Sequence, residues 1–291
     1  LLYYVRGYYM KKPDWLKVKL QNGAKTQNVN NILGSLSLNT VCSEANCPNK
    51  MECFERGTAT FMILGKNCTR NCRFCNVTQE SPEEVNLDEA KNVAMAVKKL
   101  KLRHAVITSV TRDDLADQGA NQFARVVNAI RLENPNVTIE LLIPDMQGKK
   151  DCLDIVLNSN PEVLNHNIET VKELYFDVRP MADFKRSLEV LEYSKKTKPK
   201  IYTKSGLMLG LGEKSDQVVE TLKCLRSVDC DILTLGQYLQ PSSKHIKVKE
   251  YVSPAQFDEY KAIASDLGFK SIASAPLVRS SYFAEDLIDS F

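Results

Sequence analysis

The stretch TATFMILGKNCTRNCRFCNV, residues 58–77, joins two unlike halves. Its first seven residues are a short β-rich apolar run, which predicts a buried strand. Its second half crowds three cysteines together as Cys68-x3-Cys72-x2-Cys75. A loop at the carboxyl end of a strand is where βα folds place their chemistry. The fold therefore turns on whether this strand opens a parallel series.

The residues downstream supply that series. In NLDEAKNVAMAVKKLK, Ala90, Val93, Val97 and Leu100 recur at helical spacing. Acidic residues come early and lysines late, which suits the helix dipole. HAVITSV (104–110) reads as a strand, and ANQFARVVNAIRLE places Phe123, Val126, Val127 and Ile130 on one helical face. Strand and helix then alternate again: strands at 137–144, 162–169, 200–210 and 231–239, with helices at 151–159, 184–196 and 216–228. Six strand–helix alternations imply parallel strands with right-handed crossovers. Six units are fewer than the eight of a closed barrel, so the reading is an α/β fold with an open partial barrel.

The flanks differ from this centre. Residues 1–57 read as an N-terminal extension with short helices, 58–245 as the barrel, and 246–291 as a C-terminal extension. Residues 1–9 read as an upstream extension or a tail, with a plausible start at Met10. The last clear helix should be capped by Ser253, with Pro254 at its first position, Gln256 completing a capping box and Gly268 ending it.

Composition narrows the function. The chain has 291 residues, 26% charged, and a formal charge of +3. No basic tract favours nucleic acid, and no apolar run of about 20 residues offers a membrane span. Nine cysteines, six of them within residues 42–75, do not look like the disulfide framework of a secreted domain. They fit thiolate ligands in a reducing compartment. Cys152, Cys224 and Cys230 read as small core residues, and Lys195–Lys200 as a solvated helix end. His104 reads as a polar strand end, and His166 as either a structural or a cofactor-side histidine. Arg179 and Arg279 either orient substrate or cluster, or bridge loops by ion pairs.

Three thiolates on one loop suit three irons of a [4Fe–4S] cluster, leaving the fourth iron open to a small molecule. A structural zinc site wants four closed ligands, and the spacing is not that of a zinc ribbon.

CTRNCRFC, as C-x3-C-x-F-C, resembles the signature of radical S-adenosylmethionine enzymes. The resemblance implies a six-stranded partial (β/α)6 TIM-like barrel and an open iron that chelates S-adenosylmethionine. It also implies a 5′-deoxyadenosyl radical that removes hydrogen from an unactivated carbon. Phe74 would pack near the adenine. GLMLGLGE is similar to the family's G-x-I-x-G-x-x-E pattern through Gly206, Met208, Gly210 and Glu213, with Met in place of Ile. Asn165, Asn167 and Glu169 would meet the cofactor's ribose and methionine ends. Ser109 and Arg112, in TSVTRDD, lie where the amino-group contact is expected.

A first triad, Cys42-x4-Cys47-x5-Cys53, precedes the second with different spacing, so the two are no duplication. With KPDWLKVKL, CSEANCPNKMEC, VITSVTRDDL, HNIETV, SGLMLGLGE and LVRSSYFA, it resembles the lipoyl synthase family over nearly the whole chain. Thr111 departs from that family, which often has Asp there. The resemblance implies an auxiliary [4Fe–4S] cluster held by Cys42, Cys47, Cys53 and Ser281, with Ser280 as the rival serine. That cluster would be consumed as the sulfur source. The implied reaction inserts sulfur at C6 and C8 of an octanoyl chain amide-linked to a lysine of a lipoyl carrier domain. The carrier would be a 2-oxoacid dehydrogenase E2 or a glycine-cleavage carrier protein. An electron donor such as flavodoxin or ferredoxin and an iron–sulfur carrier are further implied partners. The compartment would be the bacterial cytoplasm or the mitochondrial matrix. Two other readings stand beside this one: a methylthiotransferase, which would carry an added RNA-binding domain, and a zinc-stabilised binding module.

Overall fold

The computed structural model describes residues 11–18 and 23–288; the expectation for residues 1–9 lies outside them. Among the described residues, eight strands form one sheet in sequence order. They are β1 (Asn39–Thr40), β2 (Thr60–Ile63), β3 (His104–Ser109), β4 (Thr138–Leu142), β5 (Val163–Asn165), β6 (Tyr202–Leu209), β7 (Ile232–Gln237) and β8 (Ser271–Ser274). From β2 to β8 every neighbouring pair is parallel, and β1 lies antiparallel on β2. Parallel strands laid down in sequence order by right-handed crossovers put every helix on the same face. Such a sheet curls toward a barrel. This one stays open, since β1 and β8 end the order without pairing to each other.

All six anticipated strands are present. Helices Glu89–Leu100, Ala120–Glu133, Lys150–Asn158, Phe184–Thr197 and Ser215–Ser227 occupy the anticipated positions. The apolar stripe of the second helix, Phe123, Val126, Val127 and Ile130, is fully out of solvent. Each such side chain is worth about 1.5–3 kcal/mol of burial.

Two strands were not anticipated. β1 has two residues, too few to show a period, and β8 reads SIAS, whose small polar residues look like a loop. Together they draw both flanks of the chain into the barrel sheet. The capping box is also half made. Ser253 Oγ accepts from Gln256 N at 3.2 Å, but the Gln256 side chain donates to Glu259 instead. Lys195 is no solvated helix end: its ammonium donates to the nearly buried Asp231 at 2.7 Å and to the Ile201 carbonyl at 2.8 Å.

β5 stops early, and this shapes the site. Its anticipated span of 162–169 holds regular pairing only through Asn165, after which the backbone bulges. The Ser205 hydroxyl fills the gap, donating to the His166 carbonyl and accepting from Ile168 N. Pairing resumes at Glu169, which sits in the left-handed region at φ 67° and bridges to Leu207. The bulge turns Asn167 and Glu169 toward the carboxyl ends of the strands.

Candidate active site

The loop after β2 begins with a tight turn. Leu64 lies in the left-handed region, and its amide donates to both oxygens of the buried Glu89 at 3.1 and 3.0 Å. The cysteine segment is then zipped to the loop after β3. Thr69 N and Oγ1 both donate to the Thr111 carbonyl at 3.0 Å, and Asp113 N donates back to Thr69 Oγ1. Thr111 N lies 3.4 Å from Cys68 Sγ. These contacts at Thr111 use its backbone, so the departure from Asp at this position leaves them intact.

Arg70 anchors the same loop from inside. Its fork donates to Asp113 at 2.7 and 2.9 Å and reaches Asp145 at 2.7 Å. From the other side, Arg73 N donates to the Val178 carbonyl, and His245 Nε2 lies 3.0 Å from the Cys75 carbonyl. Ser242 Oγ lies 2.9 Å from His245 Nδ1. The loop after β7 thus straps over the third cysteine. Sequence reasoning missed Arg70 and His245. An arginine between two cysteines, with an Arg-Asp-Asp run later, was the one available signal.

The first triad reaches the same place from another direction. Cys42 lies in helix Val41–Glu44, capped by Thr40, whose Oγ1 accepts from Ser43 N at 3.3 Å. Cys53 lies in helix Lys50–Glu55, which begins after Asn49. Both triads and the tail face one cavity of about 520 Å³. Cys42, Cys47 and Cys53 line it, as do Cys68, Cys72 and Cys75, and so do Ser280 and Ser281.

Six of the anticipated cofactor contacts also line this cavity: Phe74, Ser109, Asn167, Glu169, Gly206 and Met208. Ser109 Oγ is buried there without a hydrogen-bond partner among the described residues. Three do not face the cavity. The Arg112 guanidinium is spent on Asp114 and the Leu64 carbonyl. The Asn165 amide donates to Glu140 and Ser280. The Gly210 amide closes a turn on the Glu213 carboxylate at 2.5 Å, with φ at 96°. Glu213, which also accepts from Leu211 N, is a turn residue here.

Arg179 and Arg279 both line the cavity, and neither makes an ion pair among the described residues. Arg179 donates instead to the Asn167 carbonyl and the Tyr175 hydroxyl. Behind the cavity floor lies a buried charged group. Lys204 donates to both oxygens of Glu140 at 2.9 and 3.1 Å, and His104 lies 3.2 Å from the same carboxylate. Burial works to raise Glu140, but Lys204 and His104 outweigh it and hold the carboxyl at about 2. His104 is a polar strand end as anticipated, opening β3, and its ring also contacts this buried ion pair. Cys152 and Cys230 are buried core residues as anticipated, while Cys224 is half-buried.

The donor chemistry fits iron–sulfur clusters. All nine cysteines are free. Burial pushes the Cys42 and Cys72 thiols up, and takes Cys53 and Cys75 to about 12. Thiols so placed lose their protons to a cation that binds them, since a coordinating thiol is deprotonated outright. Among the described residues, no three His, Cys, Asp or Glu form a group that could hold one metal ion. A four-iron cube takes one thiolate per iron and asks for no such convergence.

A half-open parallel barrel with a three-cysteine loop after its first parallel strand defines a class. The sequence pattern of the Radical SAM superfamily matches residues 62–225, and the chain belongs to that superfamily. The fold agrees: the chain resembles the crystal structure of methylornithine synthase with a TM-score of 0.58, at 16% identity, over 84% of this chain and 74% of that one. Within the class, the chain is 52% identical to the lipoyl synthase of Alkaliphilus metalliredigens over 96% of each chain. It is likewise 52% identical to the mitochondrial lipoyl synthase of Nematostella vectensis over 94% of each. The chain belongs to the lipoyl synthase family.

Proposed function

We propose that this chain works as its family does, inserting two sulfur atoms at C6 and C8 of an octanoyl chain. That chain is amide-linked to a lysine of a lipoyl carrier domain. The observation that carries the reading is the shared cavity, with two separate cysteine triads on its wall. Cys68, Cys72 and Cys75 would hold the cluster that takes S-adenosylmethionine; Cys42, Cys47, Cys53 and Ser281 would hold the auxiliary cluster. When bound, the first cluster and its cofactor supply hydrogen abstraction, and the second supplies sulfur.

The chain's own residues bind, orient and exclude water. Ser109, Asn167 and Glu169 offer polar groups to the cofactor from the ends of β3 and β5, and Phe74 offers an aromatic face. Gly206 leaves room beside them, since a Cβ there would lie 2.8 Å from Asn167 Oδ1. Arg179, without an ion pair among the described residues, presents a positive charge beside Cys72. Reacting atoms must meet near ~3–3.5 Å, and both clusters must open on the same dry volume.

Ser281 is preferred over Ser280 on hydrogen bonding. The Ser280 hydroxyl is engaged by two asparagines, and that of Ser281 has no hydrogen-bond partner among the described residues. An oxygen ligand is a harder partner for iron than thiolate, which suits a corner that must open.

The residues fall into an N-terminal part to residue 57, the barrel to 245 and the C-terminal part beyond. The carrier is a 2-oxoacid dehydrogenase E2 or a glycine-cleavage protein. Electrons come from a flavodoxin- or ferredoxin-type donor, and an iron–sulfur carrier is a further partner. Free thiols throughout suit a reducing compartment, a bacterial cytoplasm or a mitochondrial matrix. Among the described residues no helix is long and apolar enough to cross a membrane.

The test is anaerobic incubation with octanoylated carrier peptide, reductant and S-adenosylmethionine. Thiolated peptide should form in the native enzyme. Cys42→Ala should still cleave the cofactor and lose thiolation. If the native enzyme makes 5′-deoxyadenosine without placing sulfur in the peptide, the reading fails.

A further inference from the structure

The C-terminal tail is stitched to the barrel residue by residue. Ala275 N donates to the Leu235 carbonyl, and Gln237 N donates to the Pro276 carbonyl. Asn49, just before the helix of Cys53, donates to the Leu277 carbonyl at 2.6 Å. Past the two serines, the Tyr282 hydroxyl donates to Glu52 of that same helix at 3.1 Å. Ser281 is therefore bracketed by two contacts to the helix that carries Cys53 and the residue before it.

Between those contacts, Ser280 points the other way. Its hydroxyl donates to Asn167 Oδ1 at 2.8 Å and accepts from Asn165 Nδ2 at 2.8 Å. Asn165 is itself fixed, since its amide also donates to Glu140 at 2.9 Å, and Glu140 is held by Lys204. A hydrogen bond anchored on a buried ion pair resists displacement, because each member loses a partner if another moves. A second device acts one strand away. A Cβ on Gly236 would lie 2.1 Å from the Val278 carbonyl oxygen, so the tail crosses β7 only because that residue is glycine.

We propose that Ser280 is a positioning residue: clasped between Asn165 and Asn167, it sets the register of the tail so that Ser281 meets Cys42, Cys47 and Cys53. This rests on the reading of Ser281 as the fourth ligand of the auxiliary cluster. Two adjacent serines then have separate duties. One is tied to the strand that offers Asn167 to the cofactor, and the other serves the sulfur-donating cluster. Gly236 is the steric counterpart of the same clasp.

The test isolates the auxiliary cluster. Full-length protein with Cys68, Cys72 and Cys75 all changed to Ala is reconstituted anaerobically, alone and with Ser280→Ala, Ser280→Thr, Ser281→Ala or Gly236→Ala. Mössbauer spectra report the oxygen-ligated iron, and a chelator reports the rate of iron release. Ser281→Ala should remove the oxygen-ligated signal. Ser280→Ala should keep four irons but speed their release about tenfold, the scale seen when a ligand's supporting contact is lost. Ser280→Thr, which keeps the hydroxyl, should restore the slow rate. Gly236→Ala should speed release without touching either serine. Native release rates in both Ser280→Ala and Gly236→Ala would overturn the clasp while leaving Ser281 as ligand. An unchanged spectrum in Ser281→Ala would instead remove the ligand assignment. Loss of the oxygen-ligated signal in Ser280→Ala, with Ser281→Ala unaffected, would make Ser280 the ligand and also overturn the proposal.

Discussion

Nη2 of Arg70 lies 2.7 Å from Oδ1 of Asp145, and the two side chains are 4% and 0% exposed. Arg70 belongs to the cysteine loop after β2; Asp145 belongs to the loop after β4. The same guanidinium takes Asp113 from the loop after β3. One buried cation thus ties the loop of Cys68 and Cys72 to the loops after the next two strands. Burial works to raise the Asp145 carboxyl, but Arg70 outweighs it and holds the group well below the usual carboxylate range. The bidentate geometry toward Asp113 is one that a lysine cannot copy.

Arg70→Met should therefore cost more than a surface change. Removing one partner of a buried pair costs about 3–5 kcal/mol, because the other charge stays behind unpaired. Urea unfolding of the reconstituted enzyme should show that loss. Arg70→Lys should recover part of it while still shedding iron from the Cys68 triad faster than the native chain. A stability change below about 1 kcal/mol in Arg70→Met would place the ion group among surface pairs and end this account.

Gly206→Ala tests the cofactor side. The added Cβ would lie 2.8 Å from both Asn167 Oδ1 and Thr234 Oγ1, so Asn167 must shift. Overpacking of this kind costs about 1–3 kcal/mol, and 1.4 kcal/mol is a factor of ten in affinity. The dissociation constant for S-adenosylmethionine, measured by calorimetry on reconstituted protein, should rise about tenfold or more. Native affinity would mean the cofactor does not depend on the space beside Asn167.

Much of this was legible in the sequence because its signals are local. The Phe123, Val126, Val127 and Ile130 stripe has a helical period, and each cysteine triad lies within twelve residues of chain. Local patterns of that kind survive folding. β1 and β8 were not legible, because two residues and a SIAS tetrapeptide carry no period. The end of β5 leaves no such pattern, because its bulge depends on the Ser205 hydroxyl, about 40 residues away in the chain. In sequence, Asn165 reads as a cofactor contact beside Asn167. Its partners, Glu140 and Ser280, come from another strand and from the tail, and only the fold brings them together. Lys195 sat in a run of lysines, where burial against Asp231 leaves no trace in sequence.

His166 gives the pH dependence. Its imidazole is 1% exposed and lines the cavity, with Nδ1 2.9 Å from the Ile143 carbonyl and Nε2 without a partner among the described residues. Burial, and after it the Arg179 guanidinium, push its pKa down to about 4 from 6.5. The folded histidine is therefore neutral, donating from Nδ1 and leaving Nε2 as a bare acceptor. Once unfolded it binds a proton near 6.5. Between pH 6.5 and 4 the unfolded chain holds more protons, so stability is full above 6.5 and falls as the pH drops through that window. The loss from this one residue is on the order of 3 kcal/mol by pH 4. Glu140, held at about 2 from 4.5, adds its own loss only below 4.5, so at pH 5.0 the His166 loss stands largely alone. Urea midpoints measured at pH 7.5 and 5.0 should differ in the native enzyme and differ much less in His166→Gln. An equal acid shift in both proteins would mean that some other group takes up the proton.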